Sequence, residues 1–186
     1  KMGVDEPRFV ARELFGGEGE TTAERGIAYH RFLELCDFAV KDKDGISKEI
    51  AYFGLSGKMT AEAIGLLRVD ELSQILNMPA FDGLDGAELF REREFLCRIP
   101  ANEIMDTEAE DYVLVQGAID LMATGHSGVK IIDYKYSSKT DEELKRDYFR
   151  QLNLYKKAVA TILKINESTI TAVIINIRSR RQIDIF

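Results

Sequence analysis

The sequence predicts an α/β fold with a mixed central sheet, and three observations carry that expectation. Two β-rich runs, Tyr112 to Thr124 and Val129 to Tyr136, flank Gly125-His126-Ser127-Gly128, a glycine-bounded link of hairpin length. Two long segments, about 21–40 and 140–164, open on the capping boxes Thr21-Thr22-Ala23-Glu24 and Thr140-Asp141-Glu142-Glu143 and continue with helical spacing. Ile170 to Ile177 is strongly apolar, the pattern of a strand buried on both faces.

The remaining elements follow from local signals. Residues 1–20 read as irregular, with Gly16, Gly17 and Gly19 in the approach to the first helix. Residues 42–58 are polar and predict a loop with a short helix. Thr60 to Ile75 places Ala63, Ile64, Leu67 and Leu72 at helical spacing, and Pro79 to Gly86 breaks it. Arg93 to Ile99 alternates, Phe95 and Cys97 against Glu94, Leu96 and Arg98, which predicts a strand beside the hairpin. Asn102 to Asp111 is acidic and loop-like. The apolar stripe of the 140–164 helix runs Leu144, Tyr148, Leu152, Tyr155, Val159 and Ile162. Gln151 falls on this stripe, nearly two full turns after Leu144, and packing alone gives no reason for an amide there. Arg178 to Arg181 predicts a basic turn before an edge strand at Gln182 to Phe186.

Composition bounds the function. At 186 residues and 45% hydrophobic content, the chain suits one ordinary domain with its own core. No apolar run has membrane-spanning length and no signal peptide is visible, so a cytoplasmic protein without membrane contact is expected. Lys1 ahead of Met2 suggests a piece of a longer chain. Cys36 and Cys97 lie far apart in unlike contexts, which excludes a CxxC zinc site or a four-cysteine iron–sulfur cluster and predicts two buried thiols. Without a GKT or GKS loop, this chain is not expected to hydrolyse ATP. A net charge of −7 argues against a stand-alone non-specific DNA binder and suits a domain supplied by attached machinery. Basic residues such as Lys145, Arg146, Arg150 and Arg181 do follow the hairpin, where a solvated helix face explains them equally well.

The chemistry concentrates on the hairpin. A turn centred between His126 and Ser127 sets Asp120 opposite Asp133, with Cβ atoms roughly 4.5 to 5.5 Å apart. Asp133 and Lys135 then share a face, about 7 Å apart along it, while Tyr134 takes the other. Two carboxylates this close repel, and each is driven toward protonation unless a cation lies between them. Mg²⁺ or Mn²⁺ takes oxygen ligands and leaves positions for phosphate, and Lys135 is then placed to stabilise an oxyanion or orient a water. Asp-Xaa-Lys also occurs on solvated faces as a surface ion pair, and a single helical histidine such as His30 is often structural.

Gly117-Ala118-Ile119-Asp120, a GxxD, followed at hairpin distance by Asp133-Tyr134-Lys135 resembles motifs II and III of the PD-(D/E)XK nucleases. Gly26-Ile27-Ala28-Tyr29-His30 is similar to the GTxxH pattern of RecB-type domains, with Ile27 in place of threonine. Gln151-Leu152-Asn153-Leu154-Tyr155 is similar to their QxxxY motif, and Ser137 stands beyond Tyr136 where threonine often follows DYK directly. Pro7-Arg8-Phe9 and Glu24-Arg25-Gly26 look like the lead-in segment of AddA proteins, whose nuclease domains the whole chain most resembles. The resemblance implies a restriction-endonuclease-like core with a small helical insertion, here about 42–90, and a metal-dependent DNA nuclease. It implies that His30, Asp120, Asp133 and the Tyr134 carbonyl hold one or two Mg²⁺ or Mn²⁺ ions, with Lys135, Asp120 and Asp133 catalytic. Gln151 and Tyr155 would support the site or touch DNA, and Glu94, an acid before phenylalanine, would lie near the metal or pair with an arginine. The implied setting is a nuclease tethered behind helicase domains, which alone use ATP, with an AddB-like partner subunit. There it degrades single strands exonucleolytically in double-strand-break repair and recombination. A non-catalytic nucleic-acid-binding or scaffolding domain of the same fold is the alternative expectation.

Overall fold

The computed structural model describes residues 20–104, 111–126 and 128–186; the expectations for 1–19, for most of the 102–111 loop and for Ser127 fall outside it. A five-stranded sheet runs, in spatial order, β1 (Glu88–Pro100), β2 (Tyr112–Gly125), β3 (Gly128–Lys135), β4 (Ile170–Asn176) and β5 (Arg181–Asp184). Among the described residues it is flanked by α1 (Glu20–Leu35), α2 (Lys43–Leu55), α3 (Ala61–Leu66), α4 (Val69–Leu76) and α5 (Asp141–Leu163). The β3/β4 pair is parallel and its neighbours are antiparallel, the mixed sheet that the sequence predicts. A parallel return needs a long crossover, and α5 supplies it.

The sheet is covered on both faces. Tyr29, Phe32, Leu33, Phe53 and Leu72 from α1, α2 and α4 pack on Leu121, Ile132, Val173 and Ile175. Leu144, Leu152, Tyr155 and Val159 of α5 pack on Ile119, Ile131 and Ile174 of the other face. β4 therefore feeds two cores at once, which is why successive positions along it are apolar. Cys36 and Cys97 are both buried free thiols. No helix among the described residues is long and apolar enough to cross a membrane.

The β2/β3 hairpin has the expected register, with Gly125 facing Gly128 and Leu121 facing Ile132. Gly128 sits at φ +118°, and a Cβ there would lie 2.1 Å from the Thr169 carbonyl oxygen. Gly128→Ala therefore destabilises the fold by more than ~1 kcal/mol, seen as a lower urea midpoint at unchanged slope.

Several helix boundaries differ from the sequence reading, each for a local reason. α1 stops at Leu35 rather than near Val40, because the Asp37 side chain accepts the Ala39 N–H at 2.9 Å and competes with the helix. The Arg91 guanidinium then satisfies its open end, donating to the carbonyls of Glu34 and Cys36 at 2.7 Å each. The polar 42–58 stretch forms all of α2, because Asp42 caps it at the Gly45 N–H and Ile46 and Phe53 give it a buried stripe. The 60–75 span divides into α3 and α4 at Leu67 and Arg68, where the backbone is extended and the Arg68 N–H donates to the Tyr29 hydroxyl at 3.2 Å. α5 opens on its capping box, Thr140 and Glu143 bonding reciprocally. Its buried stripe ends at Val159, and Ile162 is half exposed.

Candidate metal centre

β1 begins at Glu88 rather than at Arg93, and this extension carries an acid into the site. Arg91 faces Leu121 and Arg93 faces Ile119, which sets Glu92 opposite Asp120. Glu92 has φ +46°, a left-handed conformation that costs a non-glycine residue ~1 kcal/mol. On β2, Ile119 packs toward α5 and Leu121 toward α1, so the alternation of side chains resets at Asp120.

The β2/β3 ladder ends at Leu121 and Ile132, one pair short of the two aspartates. Beyond that point β2 stays with β1 and parts from β3. Asp120 spans the gap, its Oδ2 accepting the Tyr134 N–H at 2.7 Å in the place a backbone carbonyl would hold.

His30 closes the third side from α1. Its Nε2 lies 3.6 Å from Asp120 Oδ2 and its Nδ1 3.8 Å from Glu92 Oε1, both too long for hydrogen bonds. Nε2 donates instead to the Tyr134 carbonyl at 3.0 Å, with the two rings edge to face. One ligand atom each from His30, Glu92 and Asp120 falls within 4.8 Å of the others. An imidazole nitrogen, two carboxylates and a carbonyl around one small volume fit a hard divalent cation. Burial alone would lower the basicity of His30, but Glu92, Asp120 and the Tyr134 carbonyl outweigh it and raise its pKa to about 9. Without a cation, the protonated imidazole offsets part of the charge of the two acids.

Asp133 and Lys135 project toward α5. Lys135 Nζ lies 2.5 Å from Asp133 Oδ2, both side chains nearly buried, and 4.7 Å from the centre of the Tyr148 ring. Burial pushes the Asp133 carboxyl up to about 6 against the pull of Lys135, and Asp120 adds to the rise. Burial opposes charge on Lys135 too, yet Asp133 and Asp120 outweigh it and hold the ammonium protonated well above its usual range. Asp133, expected as a ligand beside Asp120, is paired with Lys135, and the ligand atoms that fall together are those of His30, Glu92 and Asp120.

Gln151 finds its partner one turn along α5, donating to the Tyr155 hydroxyl at 2.8 Å. Tyr155 packs edge-on to Phe95, and a Cβ on Gly117 would come within 3.0 Å of the Tyr155 ring, so the GxxD glycine makes room for it. Burial raises the Tyr155 hydroxyl, and Asp133 and Asp120 act on it in the same direction. The two acids are therefore its electrostatic neighbours. Glu94 is exposed opposite Ala118, outside the group. Glu92 occupies the acidic position instead, carried there by the part of β1 that precedes Arg93.

Comparison with known proteins shows the family. A family model described as the PD-(D/E)XK nuclease superfamily matches residues 7–184. The chain is 31% identical over 150 residues to an ATP-dependent helicase/nuclease subunit of the A type from Carboxydothermus hydrogenoformans, covering 77% of this chain and 13% of the relative. Proteins of that name from Heliobacterium modesticaldum and Lachnoclostridium phytofermentans are 29% and 26% identical, over 86% and 84% of this chain and 12% and 14% of their own lengths. The chain thus spans only about one seventh of these curated relatives. With nearly every described residue inside the matched span, the chain belongs to the PD-(D/E)XK nuclease superfamily.

Proposed function

We propose that this domain hydrolyses DNA phosphodiester bonds with Mg²⁺ or Mn²⁺ held by His30, Glu92, Asp120, Asp133 and the Tyr134 carbonyl. The observation that carries this reading is the convergence of His30, Glu92 and Asp120 within 4.8 Å. A bound divalent ion polarises the scissile phosphate and lowers the pKa of a water. To hold such an ion, His30 would give up its Nε2 proton and with it the hydrogen bond to the Tyr134 carbonyl, leaving the ring nitrogen and the carbonyl oxygen as the ligand atoms. Asp133, paired with Lys135, would add its charge to the same ion. Because Lys135 stays protonated among the acids, it acts as a fixed positive charge on the phosphorane oxygens and orients the water, rather than removing a proton. Gln151 and Tyr155 border the acids and are placed to steady the site or the strand.

The relatives' name supports a wider proposal. All 186 residues form one nuclease domain, with the 42–90 helices as its insertion, in a longer cytoplasmic helicase–nuclease. Its tethered helicase domains, which alone use ATP, deliver single strands that it degrades exonucleolytically in break repair and recombination, beside an AddB-like partner. A non-catalytic scaffold would be free to lose one of the acids or the lysine, and all are present here. The test is a 5′-labelled single strand incubated with Mg²⁺, Mn²⁺ or EDTA. Products are expected with either ion and not in EDTA; no products with either ion, from the domain or the full-length protein, overturn the reading.

His30 also sets a pH dependence. In the metal-free protein its proton contributes stability that is fully present below 6.5 and lost as pH rises through about 9. A divalent ion must displace that proton. Apparent affinity therefore climbs by up to about tenfold per pH unit until about pH 9 and levels off above it, with proton release measurable by calorimetry in buffers of different ionisation enthalpy.

A further inference from the structure

A cavity of about 520 Å³ opens between the end of α1, α2 and β1, apart from the metal centre but next to it. Arg91 in its wall precedes Glu92, and Arg31, which follows His30, donates to the Lys58 carbonyl on its rim at 3.3 Å. Tyr52 in the same wall is 56% exposed, although it is a large aromatic. Lys58 Nζ stands 5.3 Å from the Tyr52 ring centroid and 5.9 Å from that of Phe53, and Lys48 is a second cation on the lining. Glu49 Oε1 accepts the Asp37 N–H at 2.9 Å, while its Oε2 is buried without a partner. An unmet buried acceptor is hard to account for by packing alone.

An exposed aromatic face, two ammonium groups and an unmet acceptor in one concave site correspond to the parts of a nucleotide: a base to stack, phosphates to neutralise and an N–H edge to satisfy. A duplex cannot offer that base, because its bases are paired and stacked. We propose that this cavity receives the unstacked base of a nucleotide flanking the scissile phosphate. Tyr52 stacks on the base, Glu49 accepts from its amino or imino edge, and Lys48 and Lys58 hold the adjoining phosphates. The Asp37 N–H holds the Glu49 carboxylate through Oε1, which leaves Oε2 as the atom to accept from the base. The subsite rests on the nuclease reading and specifies its substrate as a single strand bound with one base turned out.

The test uses single-stranded oligonucleotides carrying 2-aminopurine at each position in turn, bound in EDTA so that no cleavage is needed, together with cleavage kinetics in Mg²⁺. Fluorescence quenching at one position is expected for wild type and Tyr52→Phe and not for Tyr52→Ala. Tyr52→Ala should weaken binding and raise KM about tenfold with kcat little changed, and Glu49→Gln should alter the base preference. Quenching and KM unchanged in Tyr52→Ala, or wild-type protein that binds no oligonucleotide, overturn the subsite. Binding and quenching without cleavage, even in the full-length protein, leave the subsite standing and overturn only the catalytic reading.

Discussion

Lys135→Ala lowers single-strand cleavage about a thousandfold while leaving divalent-ion binding in place, because removing one preorganised positive charge from a dry site costs roughly 10²- to 10³-fold in rate. The lysine touches the acids through Asp133 and is not itself a donor to a cation, so affinity and rate separate. The variant also loses stability. Asp133, 4% exposed, is left without its counter-charge, and removing one partner of a buried ion pair costs ~3 to 5 kcal/mol unless the survivor takes up a proton. The Asp133 carboxyl is already raised to about 6, and a raised carboxyl opposes folding above its folded pKa but not below the ordinary carboxylate range. Lys135→Ala is therefore most destabilised near about pH 8 and least near about pH 4, which urea titrations across that range will read. Cleavage by the variant at the wild-type rate would remove Lys135 from the chemistry.

Asp120→Asn gives the second large effect and separates two roles of one side chain. The amide oxygen still accepts the Tyr134 N–H, so the junction between β2 and β3 survives. The charge is gone. Even outer-shell partners of metal ligands are worth about 10- to 100-fold in affinity or activity, so loss of a direct carboxylate weakens Mg²⁺ or Mn²⁺ binding by about a hundredfold or more. Asp120→Ala removes the hydrogen bond as well and should unfold more easily by ~1 to 3 kcal/mol. Calorimetric titration with Mn²⁺ and thermal melts of both variants check this. If both variants bind Mn²⁺ as tightly as wild type, Asp120 has no part in the centre.

The contrast between Asp133 and Glu92 shows how far the amino-acid pattern reaches. Glycines on each side of a short link determine the hairpin register, and the structure has that register. Where the ladder stops is a different matter, because it depends on β1 holding β2 away from β3, a contact between distant segments that no local pattern encodes. Asp120 therefore binds across the gap instead of sitting squarely opposite Asp133. Glu92 is hidden for a related reason: its positive φ interrupts the alternation by which β1 is recognised, so the pattern starts the strand only at Arg93. α2 is hard to see in the sequence because its solvated face dominates its composition while Ile46 and Phe53 alone carry the buried stripe. α5, by contrast, has both its cap and its stripe written locally.

The main-chain amide of Tyr134 ends on a carboxylate whose lone pairs a cation would also claim. Such a charge-assisted bond slackens as its acceptor is drawn away. The amide's proton resonance should then drift upfield and its deuterium uptake quicken in step with occupancy. One backbone signal becomes a built-in gauge of how full the centre is, readable with no substrate in the tube.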